Sequence, residues 1–439
     1  MSQLFFITIL SSLLTPLFAA TTVQEYYLDN GLQVIVKPDH RTPLVVAQVW
    51  YKVGSSCEET GSTGLSHVLE HMLFKGTKNH GPGDYSRQIA ALGGTENAFT
   101  GRDYTAYFAT FAVEHLAQVL ALEADRMQHL IMQPDEFTKE LEVVKEERRL
   151  RTDDSPTGQT YEQLQAVAWR ASPYRNPVIG WMQDLRQMTL LDLETWYQRW
   201  YAPNNAILVV VGDVQPQAVL ALAKRHFGPI PRRTVIPLKP QQEPKQQGLT
   251  RVTVKIPAQQ PYLMLGYKVP VIGKSTEDWE PYALAILASL LDGGKSARLP
   301  SELVRKQRIA ASISAHYNPY SRLENLFLFS GTPTDGHNLA ELQQALLDQI
   351  IQLQKNLLTP AELNRVINQA VAAKIYEQDS LFYQAMQLGL LATIGLNWRL
   401  SAAETDRLRG ITPEQVRTAA QRYLIEDNLT IATLEPSKP

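Results

Sequence analysis

The segment GLSHVLEHMLFKGT, residues 64–77, places two histidines and a glutamate within five positions. In a helix, residues three, four and seven apart share a face. Leu65, Val68, Leu69, Met72 and Leu73 then form an apolar stripe for a core, and His67, Glu70, His71 and Phe74 form a second one. Two imidazoles one turn apart have the spacing at which both neutral nitrogens bind a single zinc ion. Glu70, on the same side, is placed to polarise a metal-bound water rather than to ligate. The bland alternative is a polar helix face that meets water, because short motifs of this kind also arise by chance.

A catalytic zinc needs a third protein ligand and one open position. The stretch ELEVVKEERRL, residues 140–150, offers one. Glu140 and Glu147 are seven apart and nearly eclipsed on a helix, whereas Glu146 lies about 100° round. Acids among lysines and arginines are ordinarily a solvated face, so spacing alone does not choose between these readings.

The remaining sequence sets bounds. At 439 residues, 44% hydrophobic, the chain can bury a large core and divides more naturally into two or more domains than one. A formal net charge of −2 argues against nucleic-acid or anionic-membrane partners. Cys57 is the only cysteine, so no internal disulfide forms, and it has no assigned role. Residues 1–20 are apolar, uncharged and end in small residues, which reads as a secretory signal cleaved near Ala19 or Ala20. A membrane anchor is the alternative; the short run and Pro16 favour cleavage, hence a periplasmic or secreted protein with no stable span.

Along the chain, Asn30-Gly31 separates two apolar runs as a hairpin turn would. Strands are expected at 44–55, 95–111 and 205–214, and helices at 64–75, 85–94, 113–131 and 134–151. Residues 228–248 are rich in Pro and Gln and read as a linker or a surface-wrapping chain. Beyond it the order of elements repeats in outline. The expected organisation is a signal (1–20), an N-terminal zinc-binding domain (21–227), the linker, and a C-terminal inactive-type domain (249–439), in an α+β fold. GGKSARL lacks the first glycine of a phosphate loop, no G-x-S-x-G occurs, and His80, His115 and His129 have no paired ligand nearby.

Taken in order, GLSHVLEHMLFKGT, GGTENAFTGRDYTAY, ELEVVKEERRLRTDDSP and YAPNNAILVVVGDV resemble four motifs of the pitrilysin/insulinase (M16) metallopeptidases, whose H-x-x-E-H reverses the usual zincin order. The likeness covers nearly the whole mature chain and is greatest to the short, processing-peptidase-like branch. It implies two similar domains, each a mainly antiparallel sheet packed with helices, forming one half of a clam-shaped chamber. It implies one Zn2+ per chain on His67, His71 and Glu147, with Glu70 as general base and Glu140 as an accessory acid. Asn97 and Ala98 fall in the edge strand that pairs with an extended peptide. The family's second domain also supplies an Arg and a Tyr seven residues apart. Arg305 lands on the Arg, but Ser312 stands at the Tyr and Arg308 at the preceding Gly. The resemblance therefore implies a zinc endopeptidase subunit that meets a homologous partner carrying the Arg–Tyr pair, as a heterodimer. Its rivals are a non-catalytic structural subunit of the same fold and a peptide-binding chaperone.

Overall fold

In the computed structural model, which describes residues 22–236, 239 and 242–437, the Asn30-Gly31 turn reverses the chain between β1 (Gln24–Tyr27) and β2 (Gln33–Pro38). The signal reading of residues 1–20 lies outside the described residues. β3 (Leu44–Tyr51) follows. The stretch expected as one strand at 95–111 is two, β4 (Thr95–Thr100) and β5 (Thr105–Ala112). The turn residues Gly101 and Asp103 let the chain fold back, with the Gly101 amide donating to the Tyr104 carbonyl at 2.8 Å.

With β6 (Ala206–Gly212) these strands form a sheet in the order β1-β2-β6-β3-β5-β4. A second sheet holds β7 (Thr250–Pro257), β8 (Tyr262–Val269), β9 (Ala310–His316), β10 (Asn325–Pro333) and β11 (Leu429–Ser437), ordered β7-β11-β8-β10-β9. In each sheet the last strand of its half returns to the interior, pairing parallel on one side and antiparallel on the other. The fold is thus α+β in two similar units, with antiparallel-rich sheets. β4 and β9 occupy equivalent edges.

Strand alternation sends side chains to both faces of the first sheet. Val34, Val36, Leu208 and Val210 join a core covered by α1 (Leu65–Met72), α2 (Asp84–Ala91), α3 (Leu116–His129) and α4 (Pro134–Arg148). Ile35, Val46, Trp50, Ile207 and Val209 face the other way, and the helix Leu381–Thr393 covers them through Ala385, Leu388 and Ala392. That helix comes from the far half of the chain. Conversely, α5 (Pro156–Ala168), from the first half, packs Leu164 against Met264 and Ala432 of the second sheet. The two units exchange covering helices. Gly389 makes one exchange possible: a Cβ there would sit 2.1 Å from the Trp50 indole nitrogen.

Residues 228–236, 239 and 242–248 contain no helix or strand and run as a wrapping chain. Glu243 accepts from the amides of Arg170, Ala171 and Ser172 and from Lys268 Nζ at 2.7 Å, fixing the segment to both units. A second tie lies at the β4–β5 turn, where buried Asp103 accepts from Ser56, Tyr174 and Arg322.

Candidate metal centre

α1 starts where a buried carboxylate meets its free amides. Glu58 accepts from Gly64 N and Ser66 N, both at 2.7 Å, satisfying donors that an α-helix leaves orphaned. Burial pushes the Glu58 carboxyl up to about 7 despite these donors. Gly64 (φ +89°) faces Gly180 (φ +86°); a Cβ on Gly180 would lie 2.7 Å from the Gly64 Cα. Two facing glycines therefore seat the 175–180 segment directly on the helix start. The apolar stripe Leu65, Val68, Leu69, Met72 and Leu73 is buried as expected. Phe74 departs from its expected face: α1 stops at Met72, and the ring turns in against Tyr85 and Tyr107.

His67, Glu70 and His71 point away from that core, the histidines towards α4 and Glu70 towards Thr100 of β4. Glu147 Oε2 lies 3.7 Å from His67 Nε2 and 3.5 Å from His71 Nε2. Ligands about 2.05 Å from a tetrahedral zinc are separated by about 3.3 Å, close to both Glu147–histidine distances, and the three donors all lie within 4.8 Å of one another. Among the described residues this is the group of His, Cys, Asp and Glu side chains able to hold a metal. The donor set, two imidazoles and one carboxylate, also fits zinc chemically. Burial, and then the nearby His71 and Arg151 charges, lower His67 to about 3, which keeps its imidazole neutral. Its Nδ1 is buried and has no hydrogen-bond partner among the described residues.

Behind the donors the arrangement is asymmetric. His71 Nδ1 meets Glu140 Oε2 at 3.2 Å, and Lys75 Nζ meets the other Glu140 oxygen at 2.6 Å. A carboxylate on the far ring nitrogen fixes the tautomer and orientation of a ligating histidine. Glu140 thus sits behind His71 rather than in the open cleft. Arg151 holds Glu147 Oε1 at 2.7 Å, leaving Oε2 to face the histidines. Glu146 points out and pairs with Arg149.

The centre opens into a cleft of about 720 Å³. Its walls are α1, β4, α5 and the 175–179 segment. Glu70 lines it and accepts from the Thr100 hydroxyl. Burial raises the Glu70 carboxyl above the usual range, against the pull of Thr100 and His71. Asn97 and Ala98 also line the cleft, on a strand paired only with β5. The Ala98 amide, turned to the free edge, is covered by the Asn97 Oδ1 at 2.8 Å. Arg305 and Ser312 are exposed and are not among the cleft-lining residues, so one chain does not bring them to the donors. Sequence reasoning missed Thr100, Lys75, Arg151 and the α5 wall; only the position of Arg151, four after Glu147 on a helix, hinted at a contact.

Comparison with known proteins shows the family. Residues 33–181 match the family described as Insulinase (Peptidase family M16), and residues 187–370 match the Peptidase M16 inactive domain. The zinc protease PqqE of Helicobacter pylori is 38% identical over 371 residues, spanning 82% of both chains. The chain is a member of peptidase family M16. Among M16 structures, a protease from Helicobacter pylori superposes with a TM-score of 0.90 at 33% identity, covering 95% of this chain and all of that one (100%). The periplasmic protease PqqL of Escherichia coli shares the fold at a TM-score of 0.79 and 20% identity. This chain covers 48% of PqqL, so the M16 fold seen here corresponds to about half of that longer chain.

Proposed function

We propose that this protein is a zinc metalloendopeptidase subunit that hydrolyses extended peptides or unfolded segments. The observation that carries the reading is the convergence of His67, His71 and Glu147, their donor atoms within 4.8 Å of one another, beside the edge strand β4. When bound there, zinc would act as a Lewis acid, activating a water and polarising the scissile carbonyl. The substrate adds as a strand to β4: its backbone replaces Asn97 Oδ1 on the Ala98 amide as the Asn97 side chain swings away. Glu70 takes the proton from the attacking water as the carbon–oxygen bond forms, and delivers it to the leaving nitrogen as the carbon–nitrogen bond breaks. Thr100 orients that carboxylate, and Glu140 orients His71.

The same reading assigns a partner. Ser312, exposed on edge strand β9, has a hydroxyl several ångströms short of a phenol, and PqqL carries about twice the chain length on a shared fold. The chamber closes with a homologous subunit bearing the Arg–Tyr pair. Zinc-loaded protein alone should cleave a quenched peptide weakly, and adding the partner should restore the rate. Full activity from the isolated chain, unaffected by Arg305→Ala, would remove the split site; zinc-loaded protein inactive even with the partner would favour a binding role.

Export follows from residues 1–20, and among the described residues no helix is long and apolar enough to cross a membrane. N-terminal sequencing of protein from the periplasmic fraction should begin near residue 20. An intact Met1 on membrane-bound material would contradict export with cleavage.

A further inference from the structure

The acids and bases lining the cleft do not cancel evenly. Glu147 is held by Arg151, and Glu162 by a two-pronged bond from Arg148 at 2.8 and 3.0 Å. That leaves Arg102 and Arg175 as the cationic groups there without a carboxylate. Among the described residues the Arg102 guanidinium makes one hydrogen bond, to the Tyr161 hydroxyl at 3.2 Å. Arg175 is exposed to the cleft, and among the described residues nothing accepts from its guanidinium. A third donor lies in the same wall. Gln165 is 4% exposed and spends its oxygen on the Trp169 indole at 3.0 Å, while its Nε2 is buried without an acceptor. A buried donor left unpaired is costly, so its presence among the cleft-lining residues fits an acceptor supplied from outside.

Tyr174 relates the three donors. Trp169, bonded to Gln165, packs edge-on against Tyr174, with ring centres 6.4 Å apart. Arg102 lies over the Tyr174 ring at 4.9 Å, and Arg175 follows it in sequence. Gly158 marks the metal side of α5, because its Cβ would lie 2.6 Å from the carbonyl oxygen of Arg151, the residue that holds Glu147. Gly158 and Gln165 are seven residues apart on α5, or about 10 Å. An extended peptide covers that distance in about three residues.

We propose that this part of the cleft is a carboxylate-recognition subsite, in which Arg175, Arg102 and Gln165 select peptides carrying a negative charge near the scissile bond. The proposal rests on the hydrolytic reading above and adds its substrate class. An acidic side chain and a free peptide C-terminus present the same chemistry.

The test uses the full-length, zinc-loaded protein with its partner. Quenched peptides would carry Glu, Gln or Lys at each position flanking the cleaved bond, with a parallel set ending in a free acid or an amide. One position should favour Glu over Gln roughly tenfold in kcat/KM, as expected for a charge-assisted bond to Arg. Arg175→Gln should collapse that ratio towards one, and Arg175→Glu should turn it into a preference for Lys. If only the free-acid set gains, the C-terminus is the group recognised. No discrimination at any position or terminus, or discrimination that survives in Arg175→Gln, would overturn the subsite. Should no peptide be cleaved, the hydrolytic reading fails by itself. The subsite is then decided by the affinity of zinc-loaded Glu70→Gln for the same pairs: Arg175-dependent preference for the carboxylate supports it, and equal affinity or no binding ends it.

Discussion

Glu70→Gln should retain its metal and lose peptide hydrolysis by about 10²- to 10⁴-fold, the usual contribution of a positioned acid–base group. Glu70 shares the cleft with the three donors but is not one of them. A glutamine keeps the side-chain volume and an oxygen to accept from Thr100, so the cleft and α1 should stay as they are. What disappears is the capacity to take a proton. Zinc per chain and the initial rate on a quenched peptide, measured on the same sample with the partner present, separate the two effects. Undiminished turnover in the metal-loaded variant would take Glu70 out of the mechanism.

His71→Ala should abolish stoichiometric zinc binding. The variant deletes one of three donors and also strands Glu140, whose carboxylate would keep only Lys75. Because metal that binds the folded state stabilises it by mass action, added zinc should raise the Tm of the parent protein and not that of the variant. Glu140→Gln provides the graded comparison. It leaves all three donors but weakens the group that orients His71, and loss of such a partner typically costs 10- to 100-fold in metal affinity. Competition against a chromogenic chelator measures both. Full zinc occupancy in His71→Ala would sink the ligand assignment, and an unchanged affinity in Glu140→Gln would leave Glu140 without an orienting role.

The legibility of the sequence followed the range of the interactions involved. Asn30-Gly31 specifies its turn through backbone preference within a few residues. The stripe Leu65, Val68, Leu69, Met72 and Leu73 specifies the buried face of α1 through helical periodicity. Misreadings arose at element ends, as at Phe74, where α1 had already stopped, and at 101–104, where a turn hid inside an aromatic-rich run.

The sequence by itself determined that His67, Glu70 and His71 share one face and that Glu140 and Glu147 share another, since 3.6 residues per turn converts spacing into direction. It did not determine which acid meets which nitrogen, because residues seven apart are equivalent on an isolated helix. The packing of α4 against α1 decided that: Glu147 approaches the Nε2 atoms from the cleft side, and Glu140 reaches Nδ1 from behind. Only the tertiary structure placed α5 under the second sheet and the helix Leu381–Thr393 over the first. It likewise brought Gln165, Arg102 and Arg175 into one cleft. Such contacts join residues far apart in the chain, and no local period or propensity encodes them; they exist because each apolar face must find a partner to bury against.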